Sequence, residues 1–220
     1  LVPWQTQGNA GNPACHGAYV RHFSDDGSVS TGLWDISSKI GNLYNGYAIT
    51  DYSTGKSRIG IPGWRIPTID DWTELFDYLV ANTSATKVDN LNVGNTNNTV
   101  GKVLKAIGPE LWSAELPLLW NSRNAKHTDE SGLSFANLGI IAQSGAYQYP
   151  SFVRNAGVDE NRTHYAVAGA EADADNCYVV TLQQHNQTID AKYDALHYQA
   201  VHKRTGIAVR LIKDIKGLSA

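Results

Sequence analysis

The chain has 220 residues and carries a net charge of −3, with 18% charged and 42% hydrophobic residues. That length favours one domain able to bury a sizeable core. The hydrophobic content excludes a disordered chain, the absence of a basic excess argues against nucleic-acid binding, and no apolar run approaches the 18 residues of a membrane span.

Residues 1–31 are rich in Gly, Asn and Asp and read as an N-terminal extension packed on the domain, with one edge strand at Ala18-Tyr19-Val20. Leu43 to Ile49 read as a short strand or turn feeding a core, followed by a turn-rich stretch from Asp51 to Gly63. Pro67 disfavours helix at Ile66. Thr68 is then a candidate N-cap, with Asp70 and Asp71 suited to the positive end of a helix. Trp72, Leu75, Phe76, Leu79 and Val80 fall on one helical face. The spacing predicts a helix over 69–81 whose apolar face is core. Residues 82–99 read as loop. Val100, Val103, Leu104 and Ile107 predict a second helix ending near Gly108, and 121–134 a polar loop. Apolar, β-branched runs at 138–142, 178–182 and 207–212 predict strands. Two early helices and several late strands make an α+β domain at 32–220, without repeats or a linker.

There is no Met, and the chain begins Leu1-Val2-Pro3-Trp4, which reads as a processed product with any signal peptide removed. Cys15 and Cys177 stand outside any C-x-x-C pattern, as buried thiols or as a disulfide. Sequons occur at Asn82, Asn97, Asn161 and Asn186. The low charge and the Asn, Thr, Ser and Tyr content suit a cell-surface, secreted or virion protein.

Phosphate-binding glycine loops, H-E-x-x-H and G-x-S-x-G are all absent from the sequence. His197 and His202, five apart, suit neither helical nor strand metal pairing. No catalytic or metal-binding residue is therefore assigned, and no cofactor is expected. Glu171, Asp173, Asp175 and Asn176 could supply hard oxygen ligands to Ca²⁺, but such a run ordinarily forms a solvated turn before a strand.

Several segments together resemble the Fibrobacter succinogenes major paralogous domain. They are Gly41-Asn42-Leu43-Tyr44-Asn45-Gly46-Tyr47-Ala48, Gly63-Trp64-Arg65-Ile66-Pro67-Thr68, Trp72-Thr73-Glu74-Leu75 and Gly101-Lys102-Val103-Leu104-Lys105-Ala106. Glu130-Ser131-Gly132-Leu133-Ser134 and the closing Gly206 to Asp214 follow in the family's order, so that the resemblance covers about 32–214. It implies a C-type-lectin-like fold, related to formylglycine-generating enzymes, with two helices and a small, twisted, mostly antiparallel sheet. In that frame Trp64 fills the core, Pro67 stops a strand and Thr68 starts the helix. Two departures stand out. Tyr165-Ala166-Val167-Ala168-Gly169-Ala170 replaces an aromatic-rich stretch, and Leu211 stands where the family has a late Cys. Only Cys177 lies in the half where the oxidase relatives need a Cys pair.

In folds of this kind the residues before the closing strand form a ligand-binding face. The same segment is diversified in the variable proteins of diversity-generating retroelements, which this chain resembles. The resemblance, with the polar-aromatic composition of 164–205, points to Tyr165, Tyr178, His185, Asn186, Asp190, Lys192, Tyr193, Asp194, His197, Tyr198, His202 and Arg204 as ligand-binding residues. Tyr offers large amphipathic area at low rotamer cost and amides offer adaptable hydrogen bonds. A solvated hairpin is the bland alternative for this segment. The expected function is non-enzymatic recognition of a protein or glycan on another cell or particle, with the oligomeric state open. The alternatives are a structural fimbrial or virion tip subunit, and a formylglycine-generating-type enzyme.

Overall fold

The computed structural model describes residues 18–19, 43–49, 62–94, 96–106, 112–113, 116–117, 128–136, 138, 140–141, 147–148, 161–184 and 194–214. The fold is α+β, with few helices and a mostly antiparallel sheet. None of the described helices is long and apolar enough to cross a membrane.

The principal sheet has six strands: β1 (Ala18–Tyr19), β2 (Leu43–Tyr44), β8 (Asn161–Glu171), β9 (Asn176–Gln184), β10 (Leu196–His202) and β11 (Ile207–Ala208). Their spatial order is β1-β2-β11-β8-β9-β10. Only β11 and β8 run parallel, meeting at Ala208 and Tyr165. Two-residue ribbons complete the strands: β3 (Trp64–Arg65) with β12 (Ile212–Lys213), β4 (Trp112–Ser113) with β5 (Leu116–Pro117), and β6 (Ile140–Ile141) with β7 (Tyr147–Gln148). The helices are a single turn, α1 (Gly46–Ile49), then α2 (Ile69–Asn82) and α3 (Val100–Leu104).

Helix α2 forms where the sequence predicts it, for the local reasons expected. The Thr68 hydroxyl accepts from the Asp71 amide at 3.3 Å, and the Asp71 carboxylate accepts from the Thr68 amide at 2.7 Å. This reciprocal box satisfies two groups the first turn leaves unbonded. Asp71 also takes a forked hydrogen bond from the Arg65 guanidinium. That bond holds its carboxyl well below the usual carboxylate range. Trp72, Phe76 and Leu79 are buried in the main core against Val180, Leu182 and Leu196 of the sheet. Each large apolar side chain removed from water here contributes roughly 1.5–3 kcal/mol.

A bulge in β8 seats this helix. Between Ala166 and Glu171 the register against β9 shifts. Gly169 takes a φ of +65° there, a left-handed value that only glycine adopts freely. The displaced Ala168 amide donates to the Pro67 carbonyl at 2.8 Å, and the Trp72 indole donates to the Ala166 carbonyl at 3.2 Å. The Gly-Trp-Arg-Ile-Pro-Thr segment is thus the joint between helix and sheet.

Three expectations need correction. Trp64 does not fill the core: it is 48% exposed, on the outer side of a two-residue edge strand. Ile66 and Trp72 point inward instead. Helix α3 stops at Leu104 rather than near Gly108, because Lys105 turns extended and forms a parallel bridge with Phe135. The strand expected over 207–212 is broken into β11 and β12, since 212–213 pairs with β3. The 164–205 segment contains most of β8, all of β9 and all of β10, of which the sequence marked only the run at 178–182 as strand. Asn82 closes α2, while 83–94 and 96–99 are loop, as expected, and seal the free edge of β10. Asn98 presents its side-chain amide to both the N–H and the C=O of Leu196, at 3.0 Å each. Asn92 and Gly94 bond Tyr198 through the backbone. Strand edges left open invite pairing with other chains.

Candidate functional site

Strands β9 and β10 pair without interruption from Leu196↔Leu182 to His202↔Asn176. Side chains alternate across the sheet, so this register sorts the expected ligand residues. Tyr165 and Tyr198 face α2 and are 3% and 4% exposed. The Tyr165 ring packs against Phe135 at 4.8 Å between centroids, and its hydroxyl donates to the Ala136 carbonyl at 2.9 Å. The Tyr198 hydroxyl donates to the Ile69 carbonyl at 2.9 Å, and burial pushes its pKa up to about 12. His197 lies on the opposite face, 6% exposed. These three are structural and not on an open binding face. Both faces of β10 are covered at His197 and Tyr198, and solvent reaches the strand further along, at Ala200.

Tyr178 is half-buried against the main core. Asp194 stands two residues before β10, whereas His202 and Arg204 lie at its far end, where the His202 Nδ1 accepts from the Arg204 amide at 3.1 Å. A seven-residue strand spans roughly 20 Å, so Asp194 and the His202–Arg204 turn belong to different ends of the molecule. His185, Asn186, Asp190, Lys192 and Tyr193 lie outside the described residues, as does Cys15. Cys177 is buried in the second apolar cluster with Val179 and Val201.

The sheet face bearing His197 carries a polar row across three strands. Arg162 stands opposite Gln183, His164 opposite Thr181, and Thr181 opposite His197. His164 Nδ1 and the Thr181 hydroxyl are 2.9 Å apart. Burial, with Arg162 and then His197 adding to it, lowers the His164 pKa to about 3. Burial and Arg162 lower that of His197 to about 4. At neutral pH both rings are uncharged, each with one donor and one acceptor nitrogen. Neither is tuned for proton transfer near pH 7. The row can hydrogen-bond, but as placed it is a poor acid–base pair.

Sequence reasoning missed Lys105, which reads as an ordinary basic residue closing a helix. It is fully buried, and its ammonium donates to the Gln183 carbonyl at 2.8 Å. Burial lowers its pKa to about 7, with Asp194 acting the other way. Lys105 and Asn98 thus hold the two strand ends from which residues 185–193 depart. Only tertiary structure could have found it. The unfolded amine keeps its proton up to about pH 10.4, so between about pH 7 and pH 10 the unfolded state binds more protons and stability should rise with pH. The limiting slope is about 1.4 kcal/mol per pH unit. Urea unfolding across that window should show the rise in the native chain and a flat profile in Lys105→Met. A rise of equal steepness in the variant would assign it to another group.

The acidic run forms the turn between β8 and β9. Asp173 accepts from the amides of Asp175 and Asn176 and from the Asn176 side chain, at 2.8–2.9 Å. Glu171 accepts from the buried Lys203 ammonium at 2.5 Å. These carboxylates are engaged in holding the turn. Among the described residues no group of three His, Cys, Asp or Glu side chains is arranged to hold a metal ion.

Comparison of the chain with protein-family models, with curated proteins and with solved structures returned no match.

Proposed function

We propose that the chain is a non-enzymatic recognition module with a C-type-lectin-like fold of the Fibrobacter succinogenes major paralogous type. It binds a protein or glycan on another cell or particle. The binding region is narrower than the whole 164–205 segment and centres on residues 185–193, which carry His185, Asn186, Asp190, Lys192 and Tyr193, with Asp194 beside them. The observation that carries this reading is the fixed base of that stretch. Its two ends leave adjacent strands in register, with Lys105 bonded to Gln183 on one side and Asn98 to Leu196 on the other. A rigid base reduces the ordering cost of binding, and Tyr, His and amide side chains suit adaptable contact. The buried, neutral histidines and the buried Cys177 favour recognition over acid–base or thiol chemistry.

The test is binding of the purified chain to a printed glycan array and to intact cells. Replacing 185–193 by Gly and Ser at constant length should abolish the signal and move Tm by less than about 4 °C. Equal signal from both proteins would remove the stretch from the site. As a retroelement variable protein, the chain should differ between isolates mainly within 164–205. Substitutions scattered evenly along the chain would remove that part of the reading.

A further inference from the structure

A cavity of about 590 Å³ opens between helix α2 and the closing segment 210–212, remote in sequence from residues 185–193. Its volume lies within the ~300–1,000 Å³ typical of small-molecule sites. Trp72, Leu75, Leu133, Phe135 and Leu211 give it an apolar wall. Arg210 is the cation of this cavity, with its guanidinium carbon 4.3 Å from the centre of the buried Phe135 ring. Among the described residues no carboxylate or carbonyl accepts a hydrogen bond from Arg210, while Asp71, in the same cavity, is already paired with Arg65. An arginine oriented by an aromatic face, with its donors unspent, matches a planar carboxylate through two parallel hydrogen bonds. Glu74 lies exposed on the α2 side of the cavity and disfavours a second negative charge there.

We infer that this groove is a second binding site, for a monocarboxylate on an aromatic or branched apolar body, with Arg210 reading the carboxylate. The same chemistry belongs to a free acyl amino acid and to a peptide's C-terminal residue. The site is independent of the recognition reading above, because it shares no residue with 185–193.

The test is an amide-resolved NMR titration of the full chain with three probes: N-acetyl-L-phenylalanine, its carboxamide, and a pentapeptide ending in Phe with a free carboxylate. The free acid should bind with Kd on the order of 1 mM, as suits so small a ligand, with shifts centred on Leu75, Leu133 and residues 210–212. The carboxamide should bind at least tenfold more weakly. The pentapeptide binding more tightly than the amino acid would identify a peptide terminus as the ligand, and exclusion of the pentapeptide would identify a free acid. Arg210→Gln should weaken the acid at least tenfold with an otherwise unchanged spectrum. Arg210→Lys should fall between, since it keeps the charge and loses the fork. Glu74→Gln should tighten the acid two- to threefold. Equal binding of acid and carboxamide, full binding by Arg210→Gln, or no shifts up to about 10 mM probe would each overturn the inference. Gly-Ser replacement of 185–193 should leave this titration unchanged, so the two sites fail separately.

Discussion

Between pH 6.5 and pH 4 the protein should lose several kcal/mol of stability, and most of that loss should trace to His164 and His197. Their pKa values are about 3 and about 4 in the folded chain, against about 6.5 for an unfolded histidine. Both are depressed, so in this window the unfolded chain binds protons that the folded chain refuses. Stability is therefore fully present above pH 6.5 and falls as pH drops through 6.5 towards the folded values. Each tenfold difference in proton affinity corresponds to about 1.4 kcal/mol, and two such sites amount to a large part of a typical domain's net stability. Asp71 is also held low, by the Arg65 hydrogen bond first, but its contribution is lost only below the unfolded carboxylate range, near pH 4. The histidine step and the carboxylate step should therefore separate. Urea midpoints measured from pH 7.5 to pH 4 should fall steeply in the native chain. In the His164→Gln/His197→Gln double variant, which keeps hydrogen-bonding capacity without a titrating ring, the fall should be shallow until the carboxylates protonate. An equally steep fall in the double variant would mean that the two rings are not the responsible groups.

Gly101→Ala should lower stability by about 3 kcal/mol or more, the size reserved for steric conflict in a core. For a chain of this length that is roughly 6–12 °C in Tm. Helix propensity alone predicts the opposite sign, since Ala is favoured over Gly by about 1 kcal/mol within a helix. A Cβ at Gly101 would lie 2.5 Å from the Ala195 carbonyl oxygen, 2.8 Å from that of Asp194 and 2.9 Å from the Ala195 carbonyl carbon. All three are backbone atoms leading into β10, so no side chain can swing aside. Helix α3 would have to back away from the strand. The Asn98 contacts to Leu196 and the Lys105 bond to Gln183 would stretch with it. Calorimetry of the single variant decides the matter: a Tm equal to or above that of the native chain would mean that the close approach of α3 and β10 is absent in solution. If the stretch 185–193 binds a ligand from a fixed base, this variant should also bind more weakly than its loss of stability alone explains.

The parts of the molecule legible in the sequence are those whose causes are local. Helix α2 follows from Pro67, the Thr68–Asp71 box and the spacing of Trp72, Phe76 and Leu79, all within a few turns of chain. The core of β9 follows from its β-branched run, and the Glu171–Asn176 turn from short polar side chains that bond their own backbone. Periodicity states which residues share a face; it is silent on what covers that face. Thr181, His164 and Gln183 are polar, yet the structure buries them because the sheet is covered on both sides at these positions. Tyr165 and Tyr198 carry the composition of a binding surface and are core, since each phenol finds a carbonyl in a segment distant in sequence. Trp64, expected in the core, is exposed because the edge position of β3 is decided by its pairing with β12. Lys105 was invisible for the same reason: its partner carbonyl is 78 residues away. Local backbone chemistry determined the elements; long-range packing, which decides which face of each element meets water, determined where the functional surface can be.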